Sequence, residues 1–257
     1  MLLRDLRKGD DPQLTAIAAI IAQVAPDVLL LTDFDYDLDG LTLAEFVRRL
    51  KLAGTNSPYS FSARPNSGMQ TGLDLDGDGY FGDASDGQGF GRFNGEGGMA
   101  IISKYPIETE NIRDLSKNLW RDELGATLPQ VDGAPFSSPE AIAIQRLSTT
   151  GHWILPITIK NGPLLTLMAW SATPPVFDGE EDQNGLRNRD ELLIWENIIR
   201  TESPHHFVVL GNANLDPVDG QGITSAMANF LQSPAIQDPK PQSDGAKVAA
   251  DSSHNGD

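Results

Sequence analysis

The sequence predicts a layered fold of mixed helices and strands, of the α/β or α+β class. Segments whose apolar residues follow a helical period occur together with short, continuous apolar runs that are typical of covered strands. The 25 glycines and 17 prolines indicate many connecting loops. A chain of 257 residues is long enough to bury a sizeable core.

The first predicted elements are a helix, a strand and a second helix. Asp10 or Asp11 can cap the first helix, which Pro12 would begin, and its core-facing residues would be Leu14, Ile17, Ala18 and Ile21. The run 28–31 (VLLL) predicts a strand covered on both faces. Capping-box spacing of Thr42 and Glu45 predicts the start of the next helix, whose apolar face would comprise Leu43, Phe46, Val47 and Leu50.

The later elements follow a long polar stretch. Residues 54–97, rich in Gly, Asp, Ser, Asn and Pro, predict an ordered loop region with functional or metal-binding content. Residues 98–103 (GMAIIS) predict a strand, and 153–159 with 164–170 predict a hairpin that turns at Asn161-Gly162. A helix is predicted over 187–200 and a buried strand over 207–210 (FVVL). The polar segment 240–257 is predicted to be disordered.

Composition narrows the classes of function. The 19 Lys+Arg and 36 Asp+Glu residues give a net charge of −17, which disfavours duplex nucleic acid as a partner and attracts divalent cations. Because the chain has no cysteine, a metal would need oxygen or histidine ligands. No apolar run approaches the roughly 20 residues of a membrane span, and the start MLLRDLRKGDD has no secretory h-region. We expect a monomer without a membrane partner.

Two predicted strands lead directly into polar clusters. Asp33 follows the first apolar run, and Asn212 and Asn214 follow the last. Strand ends in layered α/β folds are common places for the polar groups of a site. The alternative that these are ordinary exits from strands into loops stays open.

The aspartates at 74, 76 and 78 precede Gly79 in the order of a calcium-binding loop. Positions one, three and five would supply carboxylates, and the glycine at position six permits the sharp turn. Position twelve is Ser85 rather than Glu, so Asp83 or Asp86 would have to complete the ligand set. The alternative is a solvated Asp-Gly turn. The earlier acidic run 33–39 fits this pattern less well and predicts helix caps and a solvated loop.

The histidines do not have the spacing of a zinc site. Of the four, His205 and His206 are expected at the surface, and His254 is expected to be solvated or hydrogen-bonded. His152 remains a candidate for a catalytic role. The sequence contains no GxSxG nucleophile elbow, no Walker loop and no GxGxxG after a strand.

Four segments resemble the endonuclease/exonuclease/phosphatase superfamily, in a bacterial branch that carries the DLDGDG loop. They are 26–37 (PDVLLLTDFDYD), 98–107 (GMAIISKYPI), 172–192 (ATPPVFDGEEDQNGLRNRDEL) and 208–220 (VVLGNANLDPVDG). The resemblance implies a single domain over 1–257, built as a four-layer sandwich of two packed, mostly antiparallel sheets flanked by helices. It also implies hydrolysis of phosphate mono- or diesters with Mg²⁺, Mn²⁺ or another divalent ion.

The chain departs from the family at three positions that the resemblance would make functional. Asp33 stands where the family has a metal-binding Glu, which keeps the charge but shortens the side chain by one methylene. Asn212 stands where the family has an Asp that acts as general base or positions water, and an amide cannot take that proton at neutral pH. Ser171 stands where the family has a His that contacts the phosphoryl group, whereas Asn214 matches the family.

The resemblance also implies features at the two termini and in the cleft. The family's first strand, with its metal-proximal Asn, and its final Asp-His pair have no counterpart, so we expect a domain that is incomplete at both termini. The residues expected to face a phosphoester, besides His152, are Asn66, Arg146, Asp178, Asn184, Arg187 and Asn188. Their alternative roles are structural: a turn at Asp178, a helix cap at Asp182 or Asn184, and an ion pair of Arg146 with an acidic loop.

Three functions stay open on the sequence. The first is a metal-dependent hydrolase of small phosphoesters, which family and lack of cysteine would place in the periplasm or outside the cell. The second is a non-catalytic pseudoenzyme that serves as a calcium-binding structural or interaction module. The third is an inactive fragment. The residues at 33, 171 and 212 favour the second and third over turnover.

Overall fold

The computed structural model describes residues 2–245 and 247–249. Within them, the helices are α1 (Leu2–Lys8), α2 (Pro12–Val24), α3 (Leu41–Leu52), α4 (Pro139–Ile144), α5 (Gln183–Glu202) and α6 (Thr224–Gln232). The strands are β1 (Val28–Phe34), β2 (Tyr59–Phe61), β3 (Gly98–Ser103), β4 (Arg113–Asp114), β5 (Gln130–Val131), β6 (Ala134–Pro135), β7 (Gly151–Thr158), β8 (Leu164–Ser171) and β9 (Phe207–Asn212).

The strands form two main sheets. The first has the order β1-β3-β2 and is antiparallel throughout. The second has the order β4-β7-β8-β9, in which β9 alone runs parallel to its neighbour. Strands β5 and β6 form a small separate hairpin. Both main sheets are therefore mostly antiparallel, as the sequence led us to expect.

The two sheets pack face to face and each carries helices on its outer face. Met99 and Ile101 of β3 share one core with Trp153 of β7 and Ala169 of β8. The alternate β3 residues, including Ile102, pack instead with α1, α2 and α3. Helices α5 and α6 cover the other side of the second sheet. This helix–sheet–sheet–helix order confirms the predicted four-layer sandwich.

Helix α2 and the hairpin β7–β8 form as predicted. Asp11 is the N-cap of α2, and its Oδ1 accepts a hydrogen bond of 2.9 Å from Leu14 N. Pro12 is the first helical residue. Asn161, in the turn between β7 and β8, has a φ of 60°, a left-handed conformation that asparagine tolerates better than most residues.

The predicted capping box of α3 is wrong. Asp37, four residues before the helix, caps it: its Oδ1 accepts from Leu41 N at 2.9 Å and its Oδ2 from Thr42 N at 2.7 Å. Glu45 instead pairs with Arg48 on the next turn. The preceding loop brings a carboxylate over the free N–H groups, so the helix does not need the side chain of Thr42 as a cap.

Strands β1 and β9 are less buried than their sequences predict. Both faces of β1 are covered, since Leu29 and Leu31 pack towards the helices and Val28 and Leu30 towards the second sheet. In the part of the chain that the structure describes, however, β1 lies at the edge of its sheet and is only half-buried.

Strand β9 is the second exception. It lies at the edge of the second sheet, where β8 is its neighbour in the described part of the chain. Phe207 and Val209 pack against the core beneath α5 and α6, whereas Val208 and Leu210 are 44% and 38% exposed. The apolar run therefore indicated a strand correctly but not its position at an edge.

Three further expectations concern the long polar loop, the C-terminal tail and membrane-spanning segments. Between α3 and β3, the long polar segment contains β2 and is otherwise loop in the described residues. Of the tail predicted to be disordered, residues 250–257 lie outside the described residues, and His254 lies with them. No described helix is both long enough and apolar enough to cross a bilayer.

Candidate functional site

The strand ends singled out from the sequence lie at one end of the sandwich. Thr32, next to Asp33, pairs with Met99. The Met99 Cε atom lies 2.8 Å from where a Cβ on Gly151 would be, so the two sheets touch there. Gly151 pairs with Ser171, and Ser171 pairs with Asn212. These strand pairings and the contact between Met99 and Gly151 connect the ends of β1, β8 and β9 across both sheets.

Asp33 lies at an irregular point of β1, and its side chain is exposed. Its φ of 55° is unusual for a residue other than glycine, and the β1–β3 register shifts between Thr32 and Phe34. The side chain is exposed, and its Oδ1 lies 2.9 Å from where a Cβ on Gly97 would be. Because Gly97 has no side chain, this carboxylate oxygen is left accessible. A carboxylate with such room fits Mg²⁺ or Mn²⁺, which prefer oxygen ligands.

The second sheet contributes polar groups without a strong base. The Asn212 Oδ1 accepts a hydrogen bond from Asn214 N at 3.2 Å. The Asn214 Nδ2 donates to Ala172 O at 2.8 Å, which ties the loop after β9 to the loop after β8. Ser171 is 9% exposed at the last position of β8. These three residues lie together as the resemblance implies, but their amides and hydroxyl are poor proton acceptors.

His152 lies in the interior and not on the site surface. The ring is fully buried and stacks on Trp195, with centroids 5.1 Å apart. Its Nδ1 is 3.0 Å from Ser148 Oγ and its Nε2 is 3.1 Å from Glu191 O. Burial lowers the pKa of His152 to about 3, so the ring is neutral at physiological pH. Both ring nitrogens are engaged in positioning neighbouring segments.

Asn66 and Arg146 also serve the interior. Asn66 is fully buried, and its Nδ2 donates to the carbonyl oxygens of Ser116 and Ser148 at 2.6 Å each. The Asn66 Oδ1 accepts from Arg146 Nη1 at 2.7 Å. Asn66 therefore ties together three segments that are far apart in sequence.

The first turns of α5 carry four buried polar side chains, which we call the polar hub: Arg187, Asn188, Asp190 and Glu191. Arg187 donates from Nε to Leu147 O at 2.9 Å and from Nη2 to Gln88 O and Arg146 O at 2.5 Å each. Its guanidinium also lies over the ring of Trp120. Through these three contacts, the Arg187 side chain holds the loop at Gln88 and the loop at residues 146–147.

The other hub residues extend this pattern to further loops. Asn188 Nδ2 donates to Thr173 O at 2.7 Å and to Ala213 O at 2.8 Å. Asp190 Oδ2 accepts from Trp120 Nε1 at 2.7 Å and from Thr127 N at 2.8 Å. Together with Arg187, these contacts attach α5 to the long loop before β7 and to the loops after β8 and β9.

Glu191 joins the segments that border the strand ends. Its Oε1 accepts from Thr149 N at 2.9 Å, and its Oε2 accepts from Thr173 N at 2.6 Å. Burial raises the pKa of Glu191 to about 7, although Arg187 and these two N–H donors act in the opposite direction. The segment before β7 and the segment after β8 are thus held by one carboxyl group.

The aspartates at 74, 76 and 78 converge as the calcium-loop pattern predicts. One carboxylate oxygen from each lies within 4.8 Å of the others. Asp74 accepts from the backbone N–H groups of Gly77 and Gly79, at 2.6 and 3.0 Å. Burial raises the pKa of Asp76, and the nearby carboxylates of Asp78 and Asp83 raise it further. This group of carboxylates could hold a metal ion.

The two residues expected to complete that ligand set have other placements. Asp83 is exposed and lies outside the converging set, although its charge is close enough to act on Asp76. Asp86 is buried, and it accepts from Leu75 N at 2.8 Å and from Gly82 N at 2.6 Å. Asp86 therefore shapes the loop from within.

A cleft of about 960 Å³ opens between this loop and the start of α5. Thr150 and Ala172, each adjacent to the Gly151–Ser171 pair, line it, so it reaches the end of the sandwich where the strand ends meet. Of the predicted substrate-binding residues, Asp178, Asn184 and Arg187 line this cleft, as does Asp76. Asn66, Arg146 and Asn188 are not among the lining residues.

Asp178 has a structural role, which the sequence analysis gave as the alternative to substrate binding. Its Oδ2 accepts from Asn184 N at 2.5 Å, near the start of α5. Asn184 Nδ2 donates to Val176 O at 2.7 Å. Asp182 is the N-cap by position but makes no side-chain capping bond. Asp178 therefore supplies the side-chain cap that the sequence had assigned to Asp182 or Asn184.

Sequence reasoning missed Gln88, Asp190 and Glu191. Gln88 Oε1 accepts from Arg146 N at 2.7 Å, and its Nε2 donates to Ile144 O at 2.9 Å. A signal was present for the two acids, because residues 187–191 (RNRDE) place polar groups all around the helix instead of on one face. A polar residue on the core-facing side of such a helix indicates a buried, hydrogen-bonded contact.

Comparisons with known proteins place this fold. A family profile described as the Endonuclease/Exonuclease/phosphatase family matches residues 5–246. The sequence has no match among curated proteins. Among solved structures, an endonuclease/exonuclease/phosphatase from Beutenbergia cavernae has 14% identity and a TM-score of 0.50, over 85% of this chain and 47% of that one.

Two further structures are similar at a lower level. Sphingomyelinase C from Streptomyces griseocarneus has 13% identity and a TM-score of 0.47, over 85% of this chain and 60% of that one. A beta toxin variant from Staphylococcus aureus, with bound magnesium ions, has 14% identity and a TM-score of 0.47, over 96% and 74%. This chain thus spans about half to three quarters of the length of these structures. On the profile match and the shared sandwich, the chain belongs to the Endonuclease/Exonuclease/phosphatase family.

Proposed function

We propose that this chain is a ligand-binding member of the phosphoesterase family that holds a divalent cation and a small ligand without appreciable hydrolysis. The observation that supports the loss of turnover is the amide at Asn212, placed beside Ser171 at the shared strand ends. An amide cannot act as a general base at neutral pH, and loss of such a base alone costs roughly 10²- to 10⁴-fold in rate.

His152 does not replace the missing base. Both of its nitrogens have hydrogen-bond partners, and burial lowers its pKa to about 3. A catalytic base must reach the proton it removes, and this ring has no exposed surface.

Carboxylates at two places support cation binding. Asp33 would hold Mg²⁺ or Mn²⁺ at the strand ends, where the ion would supply a Lewis acid for a phosphoryl oxygen. Asp74, Asp76 and Asp78 would hold Ca²⁺ beside the cleft, since their carboxylates already converge. In this proposal Asp178 and Asn184 shape the cleft wall and do not take part in chemistry.

A slow metal-dependent phosphoesterase is the second candidate. The exposed Asp33 favours it, since strained backbone is often kept at positions that function requires. In that case Asp33 would hold the ion that activates the phosphoester, while Asn214 orients the loop after β9.

Hydrolysis assays separate the two candidates. The probes are p-nitrophenyl phosphate and bis(p-nitrophenyl) phosphate, each with Mg²⁺, Mn²⁺ or Ca²⁺. We expect no turnover above background. Metal-dependent hydrolysis that disappears in Asp33→Ala but persists in Asp39→Ala, an exposed aspartate in the same segment, would establish the second candidate instead.

A further inference from the structure

Gln145 has a buried amide that the protein itself does not satisfy. The residue is 3% exposed and lines the cleft. Its backbone N donates to Ala141 O and its backbone O accepts from Trp120 N, each at 2.9 Å. The side-chain Nε2, by contrast, is buried without a hydrogen-bond partner. Buried donors of this kind are rare, and one that borders a cleft indicates an acceptor on a ligand.

The rest of the polar lining includes several acceptors, together with the hydroxyl groups of one serine and three threonines, which both accept and donate. Gln183 Oε1 is a buried atom without a hydrogen-bond partner and lies on the same cleft. The carboxylates of Asp76, Asp178 and Glu181 also line it. An ionised carboxylate has about four lone-pair positions, so each of these groups can accept further hydrogen bonds.

The apolar lining comes largely from aromatic side chains. Phe90, Phe136 and Phe177 line the cleft, and the first and last of these are 66% and 92% exposed. The Phe136 Cζ lies 3.5 Å from where a Cβ on Gly77 would be, so this ring sits against the Asp74–Asp78 loop. Three phenyl rings offer surfaces for the C–H faces of a ligand.

We propose that this cleft binds an uncharged, hydroxyl-rich ligand of sugar or polyol chemistry, and that Gln145 selects for it. A hydroxyl group both accepts, as Gln145 requires, and donates, as Gln183 and the carboxylates require. The C–H faces of such a ligand would pack on the phenyl rings.

Other classes of small ligand satisfy this lining less well. The carboxylates of Asp178 and Glu181 repel an anion, and Arg187, the one cation among the described lining residues, has three of its five N–H donors bound to carbonyl oxygens. A quaternary ammonium ion would suit the acids and the rings but has no acceptor for Gln145. The hydroxyl-rich class is therefore the one that matches donor, acceptors and apolar surface together.

This inference rests on the proposed function in one respect, namely that the cleft is a ligand site. If the ligand is a phosphoester, the cleft would receive its polyol portion, with the phosphoryl group towards Asp33. Hydrolysis, if it were found, would refute the proposed loss of turnover and leave polyol binding untouched. Failure of polyol binding would refute the inference and leave the hydrolysis result unchanged.

Binding measurements with defined probes test the inference. Calorimetry and saturation-transfer NMR would use myo-inositol and the methyl glycosides of glucose, galactose and mannose, with choline chloride and inorganic phosphate for contrast. We expect saturable binding of at least one hydroxylated probe, tighter than that of choline or phosphate. Gln145→Leu should weaken this binding about tenfold, which corresponds to the loss of one ordinary hydrogen bond.

Two further variants make the outcome decisive. Gln13→Leu, an exposed glutamine on α2, is the matched control and should bind as the unmodified chain does. Phe177→Ala removes a highly exposed ring, so it leaves the fold intact and should also weaken binding. The inference is overturned if none of the four hydroxylated probes binds, if choline or phosphate binds more tightly, or if neither Gln145→Leu nor Phe177→Ala weakens binding.

Discussion

His152 and Glu191 contact each other in the interior, and burial shifts their pKa values in opposite directions. The His152 ring contacts Glu191 O through Nε2, while the Glu191 carboxyl group reaches Thr149 and Thr173. Burial disfavours the charged form of each, so it lowers the pKa of the histidine and raises that of the acid. The two residues therefore make the stability of the protein depend on pH with opposite signs, in two overlapping windows below neutrality.

For His152 we predict a loss of stability in acid. Its pKa is lowered from 6.5 to about 3 by burial, so between these values the unfolded chain takes up a proton that the folded chain does not. The contribution of His152 to the free energy of unfolding should therefore fall as pH falls through this window. Urea titrations should show this fall to be smaller in His152→Phe than in the unmodified chain, with the exposed His205→Gln as control. Equal slopes in all three proteins would contradict the assignment.

For Glu191 we predict the opposite dependence. Burial raises its pKa from 4.5 to about 7, so over this range the folded chain keeps a proton that the unfolded chain has lost. Its contribution to the free energy of unfolding is present below pH 4.5 and is lost as pH rises through about 7. In Glu191→Gln that part of the pH dependence should disappear. An unchanged pH profile in the variant would show that the carboxyl group ionises as it does in the unfolded chain.

The partners of the polar hub were hard to assign from sequence because most of them are backbone groups. Arg187 and Asn188 bind carbonyl oxygens, which every residue carries, so no partner can be recognised by its side chain. Asp33, Ser171 and Asn212 were recognisable because each follows an apolar run or a matching motif. The sequence therefore indicated the residues at the strand ends. It did not indicate the contacts that hold the surrounding loops.

Single helices and strands were predicted correctly from the sequence where their local residue pattern is strong. Helix α2 has its cap, its proline and its apolar face within one segment, so it was predictable. The cap of α3 comes from Asp37, within the acidic run 33–39 that predicted helix caps, whereas the edge positions of β1 and β9 depend on sheet neighbours. The position of a strand within its sheet depends on distant segments, so it leaves no local signal.

The cap of α3 gives a direct test. Asp37→Ala should lower the free energy of unfolding by about 0.5–2 kcal/mol, the usual range for an N-cap side chain, because Leu41 N and Thr42 N lose their acceptor. Asp39→Ala, an exposed aspartate two residues away, should change it little. Denaturant titrations of both variants measure the difference, and equal effects would mean that Asp37 is not the cap.

The loop 74–86 should respond to calcium. We expect Ca²⁺ to raise the melting temperature and chelation to reverse the rise, because binding to the folded state stabilises it. Asp76→Ala should remove most of the effect, since it deletes one of three converging carboxylates. Tyr80→Phe is the matched control and should behave as the unmodified chain, because a residue at its position would offer only its backbone carbonyl. Absence of binding heat, together with melting that a chelator does not change, would leave the loop as a solvated turn.

The whole molecule brings together residues that the sequence separates widely. Residues 33 and 212–214 come from different sheets, and the packing of Met99 against Gly151 brings their strand ends to one end of the sandwich. The loops around that end are tied to α5 by the polar hub, and the cleft opens among them. The resemblance implied the sandwich and this meeting of strand ends, whereas the cleft and its unsatisfied Gln145 became apparent only in three dimensions.

The central claim is that Asp33 and the end of β9 form one cation-binding site. Manganese-induced broadening of assigned amide NMR signals tests it most directly, in a chain carrying Asp74→Asn and Asp76→Asn so that the loop does not compete. We predict that the signals of Asp33 and of residues 212–214 broaden together and that adding Asp33→Asn abolishes both effects. Broadening at one strand end alone, at neither, or unchanged by Asp33→Asn would contradict the account.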